Sequence, residues 1–325
     1  MQDSFGRKID YMRISVTDRC NFRCRYCMPR GIQTSPMSDI LTYEEIIEIV
    51  TIAAQCGISK LKITGGDPLV RQGITWLVQE LRKIPGIRHI TMTTNGALLT
   101  LYAKNLKDAG LEAINISLDS LDRKVFSEIT GFDKLDNVLA GIDAALSAGL
   151  QVKINSVLQE NCNVDEWQAL LNIAKDRPID VRFIEMMPIG EAKNFRSVNN
   201  EELLAKIRGK YPAITPDTSI HGNGPAVYFK IPGFLGCVGF ISAMNKKFCG
   251  SCNRIRLTAN GMLKPCLCFA KNFDLRKILR ETNKIDRPEK LALTIRTAIE
   301  AKPQAHSFEN EELVSEYRKM FEIGG

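Results

Sequence analysis

The chain has 325 residues, of which 44% are hydrophobic and 25% are charged, and its formal net charge is +7. No apolar run reaches the ~18 residues of a membrane span, and residues 1–8 lack the apolar stretch of a secretory signal. The ten cysteines therefore predict a reducing, cytoplasmic location with metal or redox use of the thiols. The positive charge suits an anionic partner such as a nucleotide, whereas the lack of a Lys/Arg-rich tract argues against nucleic acid.

The first predicted strand, residues 11–16, leads into three closely spaced cysteines. Cys20, Cys24 and Cys27 follow a C-x3-C-x2-C spacing, and the polar residues between them leave no apolar face typical of buried core cysteines. Three soft thiolates in one short loop suit an iron–sulfur cluster or a soft metal ion. A cubane cluster held by three thiolates keeps one iron open, which indicates a reactive centre.

Strand-like and helix-like segments then alternate as far as residue 190. Residues 42–56 predict a helix, because Thr42 and Glu45 form a capping box ahead of an apolar stripe. The further predicted strands are residues 61–64, 90–94, 113–118, 152–158 and 181–185, and helical periodicity falls between them, for example at residues 135–148. Six strand–helix units in series predict a parallel sheet that is open or curled toward a barrel.

Polar residues recur with period two along five of the predicted strands. Because strand side chains alternate between faces, each pair lies on one side of its strand. The pairs are Arg13 with Ser15, Lys62 with Thr64, Thr91 with Thr93, Asn115 with Ser117, and Lys153 with Asn155. Buried cations need anionic partners, so we expect a barrel-like sheet whose inner face binds a polyphosphate. The alternative is that each cation lies at a strand end in water.

The pattern changes near residue 190. Proline and glycine interrupt residues 190–224, which we interpret as an insertion or linker with one helix near residues 201–207. Beyond it, residues 226–231, 238–242 and 253–259 are predicted to be antiparallel strands. We therefore expect a partial barrel at residues 1–224 and a separate C-terminal region at residues 225–325.

A second group of cysteines lies in the C-terminal region. Cys249 and Cys252 form a C-x2-C pair, followed by Cys266 and Cys268. Four thiolates would close a structural zinc site, whereas three would hold a second cluster with an open iron. The spacing leaves both alternatives open and does not decide whether Cys268 is a ligand.

The dipeptide Asn260-Gly261 predicts a hairpin that carries the later cysteines back to the pair. A two-residue turn would place Ala259 opposite Met262 and deliver Cys266 to the C-x2-C pair. On the preceding strand Arg254 and Arg256 alternate beside the thiols. Two arginines on one face predict a second anion-binding position there.

Together these motifs resemble a known family. The C-x3-C-x2-C loop resembles the signature of radical S-adenosylmethionine enzymes, and the T-G-G-D-P-L run at residues 64–69 looks like their glycine-rich strand end. More narrowly, the chain is similar over nearly its whole length to the GTP 3′,8-cyclase family of molybdenum cofactor biosynthesis. The further matching motifs are residues 13–20, 93–96, 115–119, 182–187, 248–257, Lys302-Pro303 and the terminal Gly324-Gly325.

The resemblance implies a fold and a reaction. The fold would be α/β, an incomplete (β/α)6 TIM-like barrel of the radical S-adenosylmethionine type with a C-terminal antiparallel β extension that carries a second cluster. The reaction would convert GTP to (8S)-3′,8-cyclo-7,8-dihydro-GTP, the first step of molybdenum cofactor (molybdopterin) biosynthesis. A 5′-deoxyadenosyl radical would abstract the ribose 3′ hydrogen. The cofactors would be two 4Fe-4S clusters and S-adenosyl-L-methionine.

The resemblance also implies roles for particular residues. Cluster ligands would be Cys20, Cys24 and Cys27 for the first cluster and Cys249, Cys252 and Cys266 for the second. S-adenosylmethionine would contact Tyr26, Gly66, Ser117 and Met187. GTP would contact Arg13, Lys62, Thr93, Lys153, Arg254, Ile255 and Arg256. The terminal Gly324 and Gly325 would reach into the active site.

The implied partners are GTP, an electron donor of the flavodoxin or ferredoxin type, and the downstream cyclic pyranopterin monophosphate synthase, with the chain acting as a monomer or homodimer.

The sequence departs from the family pattern at two positions. Asp67 replaces the usual Glu, where we expect tolerance because the role is largely that of the backbone, and Cys268 is an extra thiol that we expect not to bind the cluster. The alternatives are a radical S-adenosylmethionine enzyme that modifies peptides, and a non-catalytic iron–sulfur or zinc protein.

Overall fold

A single continuous sheet organises the chain, which a computed structural model describes at residues 1–31, 33–244, 248–308 and 314–324. Its strands are β1 Tyr11–Ser15, β2 Lys60–Thr64, β3 His89–Thr94, β4 Ala113–Ser117, β5 Gln151–Ser156, β6 Asp180–Ile184, β7 Thr215–Asp217, β8 Val227–Lys230, β9 Val238–Ile241, β10 Arg254–Leu257, β11 Met262–Lys264 and β12 Phe273–Asp274. The helices are α1 Tyr43–Gln55, α2 Ile74–Lys83, α3 Leu99–Asp108, α4 Arg123–Thr130, α5 Leu135–Ser147, α6 Trp167–Asp176, α7 Asn200–Lys210, α8 Leu275–Glu281 and α9 Arg287–Glu300.

The strand order is β12-β11-β10-β1-β2-β3-β4-β5-β6-β9-β8-β7. Strands β1 to β6 run in parallel in chain order, which confirms the six predicted strand–helix units. The C-terminal strands flank both edges of this set. Strand β10 pairs with β1 and β9 pairs with β6, both in parallel. The predicted antiparallel C-terminal strands are confirmed, because β9 is antiparallel to β8 and β10 is antiparallel to β11. The parallel pairing of β9 and β10 with the edges of the barrel is an addition to that prediction.

One face of the parallel strands builds the core. Residues such as Ile14, Ile63, Met92, Ile116 and Ile154 are fully buried on this face. Apolar stripes of the helices pack against them in one large cluster, as expected for an α/β sheet covered by helices. The other face carries the polar residues of the period-two pattern, so that pattern determines which side of the sheet encloses the site.

Local signals fix the ends of several elements. Helix α1 begins after Thr42, whose side chain accepts from the Glu45 amide while the Glu45 carboxylate accepts from the Thr42 amide. This is the predicted capping box. Helix α7 begins after Asn199, whose side chain accepts from the Glu201 amide, and it confirms the helix predicted within residues 190–224.

Of the two interpretations of residues 190–224, an insertion or a linker, the linker is wrong. Strand β7 pairs with β8 at the edge of the sheet, and residues 219–224 line the central cavity. The segment is therefore built into the fold, because its backbone completes sheet hydrogen bonds that a free linker would leave to water.

The predicted register of the Asn260-Gly261 hairpin is also wrong. Leu257 faces Leu263 and Arg256 faces Lys264, which is a shift of one residue from a two-residue turn. The Thr258 amide donates to the Met262 carbonyl, and the Met262 amide donates to the Thr258 hydroxyl. The loop between these two residues therefore has three residues. Gly261 takes the positive φ of 84° that such three-residue loops require.

Among the described helices, none is long and apolar enough to cross a membrane.

Candidate functional site

The polar face of the sheet encloses one large cavity of about 820 Å³. Its walls combine polar residues from β1 to β6, all six predicted cluster cysteines, residues 219–226 of the β7–β8 loop, and residues 320–321 of the C-terminal tail. The sequence places these groups far apart, and the curled sheet with its two C-terminal flanks brings them together. A cavity of this size accommodates a nucleotide-sized ligand.

Cations are concentrated on adjacent strands in this cavity. Arg13 stands opposite Lys62 on β2 and opposite Arg256 on β10, and Lys153 lies further along the sheet on β5. Burial is the main cause that lowers the pKa of Arg13, Lys62 and Arg256, and neighbouring cations lower it further. For Lys153, burial and then Arg182 lower the pKa to about 8. Such an arrangement is costly without an anion and favourable with one.

The sequence reasoning missed Arg182. It lies on β6 in register with Asn155, 6% exposed, and it lines the cavity. Its Nε and Nη2 atoms are buried without a hydrogen-bond partner among the described residues. The signal was present, because Arg182 continues the inward-facing polar row by one more strand. A buried guanidinium with open donors is suited to a phosphate oxygen.

The first cysteine set lies on the loop after β1. The Met28 and Cys27 amides both donate to the Cys24 carbonyl, at 2.9 and 3.0 Å, and this turn holds the thiols close together. Burial first, and then the charge of Asp67, raises the pKa of Cys20 to about 11. Burial and then Cys20 raise the pKa of Cys27 to about 12. These thiols need a cation to ionise, and a cluster supplies it.

The second set lies on the flank beside β1, where Cys249 and Cys252 precede β10 and Cys266 follows β11. Burial disfavours the Cys252 thiolate, but Arg254 and then Lys302 outweigh burial and lower the pKa of Cys252 to about 7. Lys302 is itself held by Nζ hydrogen bonds to the carbonyls of Arg254 and Pro265, at 2.9 and 2.8 Å. The His306 amide donates to Cys249 Sγ at 3.4 Å. The thiols of the second set are therefore surrounded by more positive charge than those of the first.

The geometry of the thiols bears on which metal centre they fit. Sulfurs around a single tetrahedral zinc ion lie ~3.8 Å apart, given a Zn–S bond of ~2.3 Å. Within the described residues, neither cysteine set brings three thiols within 4.8 Å of one another. As placed, these thiols lie further apart than the ligands of one zinc ion, and three thiolates in each set suit a cluster whose irons occupy separate corners.

Cys268 differs from the other thiols of the second group. It is fully buried in a small apolar cluster with Ile189, Phe308 and Ile323, and the Ser307 amide donates to its Sγ at 3.5 Å. It does not line the cavity that the other three thiols share. Its environment is that of a core thiol.

The glycine-rich strand end packs directly on the first cysteine loop. The Gly66 amide donates to the Thr17 carbonyl at 2.7 Å, and the Asp67 amide donates to the Arg19 carbonyl at 2.8 Å. A Cβ on Gly66 would lie 2.3 Å from the Arg19 carbonyl oxygen. Glycine is therefore required where this strand end approaches the residue before Cys20.

The side chain of Asp67 does more than the backbone role we expected of this position. Its Oδ2 accepts from Thr94 Oγ1 and the Asn95 amide, at 2.7 and 2.6 Å, and Oδ1 accepts from the Leu69 amide at 2.9 Å. Asn95 in turn contacts Asn21 Oδ1 at 2.7 Å and Cys20 Sγ at 3.7 Å. The carboxylate thus positions the polar residues next to the first thiol.

The other residues expected to contact S-adenosylmethionine also line the cavity, namely Tyr26, Gly66, Ser117 and Met187. The Tyr26 hydroxyl donates to Asp119 Oδ2 at 2.8 Å, which fixes the ring beside the thiols. Thr93 lines the cavity as well, whereas Ile255 does not. The Ile255 side chain is fully buried in the core, because it alternates with Arg254 and Arg256 along β10.

The C-terminal tail enters the cavity between the two cysteine sets. Arg256 Nη1 donates to the Gly324 carbonyl at 2.8 Å, and a backbone hydrogen bond from Phe321 reaches the Cys27 thiol. The tail is anchored by a fully buried ion pair between Glu316 and Lys264. Gly325 lies outside the described residues.

The fold and site together define a class of protein. The family model of the radical SAM superfamily matches residues 14–174, and that of Molybdenum Cofactor Synthesis C matches residues 179–308. Among solved structures, SuiB of Streptococcus suis bound to S-adenosylmethionine aligns with a TM-score of 0.63 at 14% identity, covering 97% of this chain and 77% of that one. At this identity the likeness shows the fold alone, a barrel of the radical S-adenosylmethionine type.

Closer relatives identify the family. The chain is 47% identical over 330 residues to the GTP 3′,8-cyclase of Alkaliphilus metalliredigens and 45% identical over 326 residues to that of Clostridium perfringens, with 100% of each chain covered. It belongs to the GTP 3′,8-cyclase family.

Proposed function

We propose that this chain converts GTP to (8S)-3′,8-cyclo-7,8-dihydro-GTP, the first step of molybdenum cofactor biosynthesis. The observation that carries the proposal is the shared cavity. Six thiols in two sets of three meet a wall of buried cations there. Two 4Fe-4S clusters and S-adenosylmethionine, when bound, supply the radical chemistry that removes the ribose 3′ hydrogen.

Each part of this cavity is assigned to a cluster, a cosubstrate or the substrate according to the residues that line it. We assign Cys20, Cys24 and Cys27 to one cluster and Cys249, Cys252 and Cys266 to the other. The face with Tyr26, Gly66, Ser117 and Met187, adjacent to the first set, is assigned to S-adenosylmethionine.

The triphosphate would be bound by four buried cations, Arg13, Lys62, Lys153 and Arg182. Burial lowers the pKa of the first three, and Arg182 has buried donors without a hydrogen-bond partner among the described residues. A bound anion would stabilise the charged form of each. The remaining positions assigned to GTP are Thr93, Arg254 and Arg256, and Ile255, whose side chain lies in the core, would contact GTP only through its backbone. Arg254 and Arg256 lie next to the second thiol set. GTP would then lie with its phosphates along the cationic strands and its base toward Cys249, Cys252 and Cys266.

The tail has a positioning role in this proposal. Gly324 is held by Arg256, and the nearby Phe321 contacts Cys27, so the tail closes the space between the two thiol sets. Exclusion of water protects a radical reaction from side reactions. Gly324 has no side chain that would displace substrate from this position.

We further propose that residues 1–224 carry the radical-generating barrel and residues 225–325 the second cluster and part of the substrate site. The chain would receive electrons from a flavodoxin or ferredoxin and pass its product to cyclic pyranopterin monophosphate synthase, as a monomer or homodimer. A peptide substrate, the alternative within the same superfamily, is disfavoured by the concentration of buried cations, since a peptide offers no matching polyanion.

The test is an anaerobic incubation of cluster-loaded protein with dithionite, S-adenosylmethionine and GTP. We expect about eight irons per chain and formation of 5′-deoxyadenosine that depends on GTP, with a matched reaction containing ATP as the control. Deoxyadenosine formed equally with either nucleotide, or half the iron together with bound zinc, would contradict the proposal.

A further inference from the structure

A second set of metal-ligating side chains lies at the opposite end of the sheet from the first cysteine loop. The ligand atoms of Asp180, His221 and Cys237 all lie within 4.8 Å of one another, and Asp217 contacts both His221 and Cys237. The four residues come from the starts of β6 and β9 and from the β7–β8 segment. Neither the GTP reaction nor the iron–sulfur clusters use any of them.

Two of the distances in this group equal those between ligand atoms around one zinc ion. Asp217 Oδ2 lies 3.3 Å from His221 Nε2 and 3.4 Å from Cys237 Sγ. Ligand atoms of these types around one zinc ion are separated by ~3.3–3.7 Å, given bonds of ~2.0–2.3 Å. The Ser219 hydroxyl, 3.0 Å from His221 Nε2, adds one more oxygen on the same side of the ring.

The Nδ1 side of the His221 ring is held by a carboxylate, as in metal-bound histidines. His221 Nδ1 lies 2.8 Å from Asp180 Oδ2, and the ring stacks on Tyr228 with centroids 4.0 Å apart. A carboxylate on one ring nitrogen fixes the tautomer that presents the other nitrogen to a metal. Asp180 is itself held by the Cys237 amide, which donates to Oδ1 at 3.2 Å.

We propose that Asp217, His221 and Cys237 bind a zinc ion, with Asp180 orienting the histidine. One thiolate, one imidazole and one carboxylate form a donor set that suits Zn²⁺ better than Ca²⁺ or Mg²⁺. Charge supports it, because two carboxylates and a thiolate balance one dication together with Lys153, whose Nζ lies 3.6 Å from Asp180 Oδ2.

The zinc would join the β7–β8 loop to the sheet at the phosphate end of the cavity. Residues 219–226 line the cavity, and a Cβ on Gly222 would lie 3.3 Å from Lys153 Nζ. The ion would therefore hold this loop over the lysine, and its removal would loosen that wall without affecting the iron–sulfur thiols.

The test uses the full chain with both clusters loaded anaerobically, equilibrated with zinc chloride and passed over a weak chelating resin. We expect one zinc per chain, and zinc X-ray absorption showing one sulfur at ~2.3 Å with nitrogen and oxygen at ~2.0–2.2 Å. Cys237→Ser and His221→Gln should lose the zinc and keep their iron. Asp180→Asn should weaken zinc binding ~10–100-fold.

Cys162→Ser, which removes a thiol outside the site, is the matched control and should retain zinc. The proposal is overturned if the wild-type chain retains no zinc, or if its zinc has only sulfur neighbours, since the metal would then occupy a cluster site. Zinc retained at wild-type level by both Cys237→Ser and His221→Gln would overturn it equally. The wild-type absorption spectrum decides the matter even if a variant fails to fold, and it is independent of the reaction proposed above.

Discussion

Replacing Gly66 with alanine should damage the first cluster site more than it damages the fold. The new Cβ would lie 2.3 Å from the Arg19 carbonyl oxygen and 2.5 Å from its carbon. Both are backbone atoms, so relief requires moving the chain segment that ends at Cys20 by roughly 0.7 Å. The movement would also stretch the hydrogen bond from the Asp67 amide to the Arg19 carbonyl.

The expected magnitude follows from the clash. Overpacking of this kind costs ~1–3 kcal/mol of unfolding free energy. If Gly66 contacts S-adenosylmethionine as proposed, displacement of the strand end should weaken its binding at least about tenfold, or ~1.4 kcal/mol. The assays are urea unfolding, iron content per chain, and equilibrium binding of S-adenosylmethionine to the cluster-loaded protein.

Two glycines provide matched controls for this variant. Gly209 lies in α7, and a Cβ added there would meet nothing within 4 Å, so Gly209→Ala should be neutral or stabilising. Gly236→Ala creates a similar backbone clash, 2.0 Å from the Ile179 carbonyl oxygen, at the other end of the sheet. It should lower stability while retaining iron and S-adenosylmethionine affinity. Wild-type iron, affinity and stability in Gly66→Ala would refute the reasoning.

Three further outcomes are expected. Arg182→Met should leave the stability of the unliganded protein unchanged or higher, because it removes a buried cation with open donors, yet it should raise the Kd for GTP at least about tenfold. The control Arg177→Met, at a partly exposed arginine that does not line the cavity, should change GTP binding little. Lost stability with unchanged GTP binding in Arg182→Met would contradict this. Since the pKa of Lys153 is lowered to about 8, its charged form predominates below that pH. GTP affinity measured from pH 7 to 9.5 should therefore fall above pH ~8, by up to about tenfold per pH unit. Lys153→Arg should remove much of the fall, and a flat profile in the wild type would count against the role of this lysine. Cys268→Ser should keep the iron of the second cluster, because the thiol is fully buried in an apolar cluster; a drop in iron would show that it is a ligand.

Much of the site follows from local sequence pattern. The period-two residues from Arg13 on β1 to Asn155 on β5, apart from Ser15, line the cavity, because alternation along a strand depends only on backbone geometry. The capping box at Thr42 is equally local. Arg182 obeys the same rule, yet the prediction omits it, since the apolar neighbours on β6 obscure its single inward-facing cation.

Long-range features do not follow from the pattern. The parallel pairing of β9 with β6 and of β10 with β1 depends on partners elsewhere in the chain, so local pattern predicts only the antiparallel alternative. The hairpin register differs by one because the hydrogen bonds of Thr258 with Met262 select a three-residue loop. The glycines and prolines between α7 and β8 resemble those of a linker, and only the pairing of β7 with β8 shows that they belong to the sheet.

By itself the sequence determined that three thiols precede a polar-lined parallel sheet, and that a second thiol set lies far along the chain. Spacing and alternation encode such features through near neighbours. Only the tertiary structure decided that both ends of the sheet are extended by C-terminal strands, that the tail contacts Arg256 between the two thiol sets, and that His221 meets Cys237. These contacts join residues remote in sequence, and their geometry is set by the curvature of the sheet and the packing of its flanks.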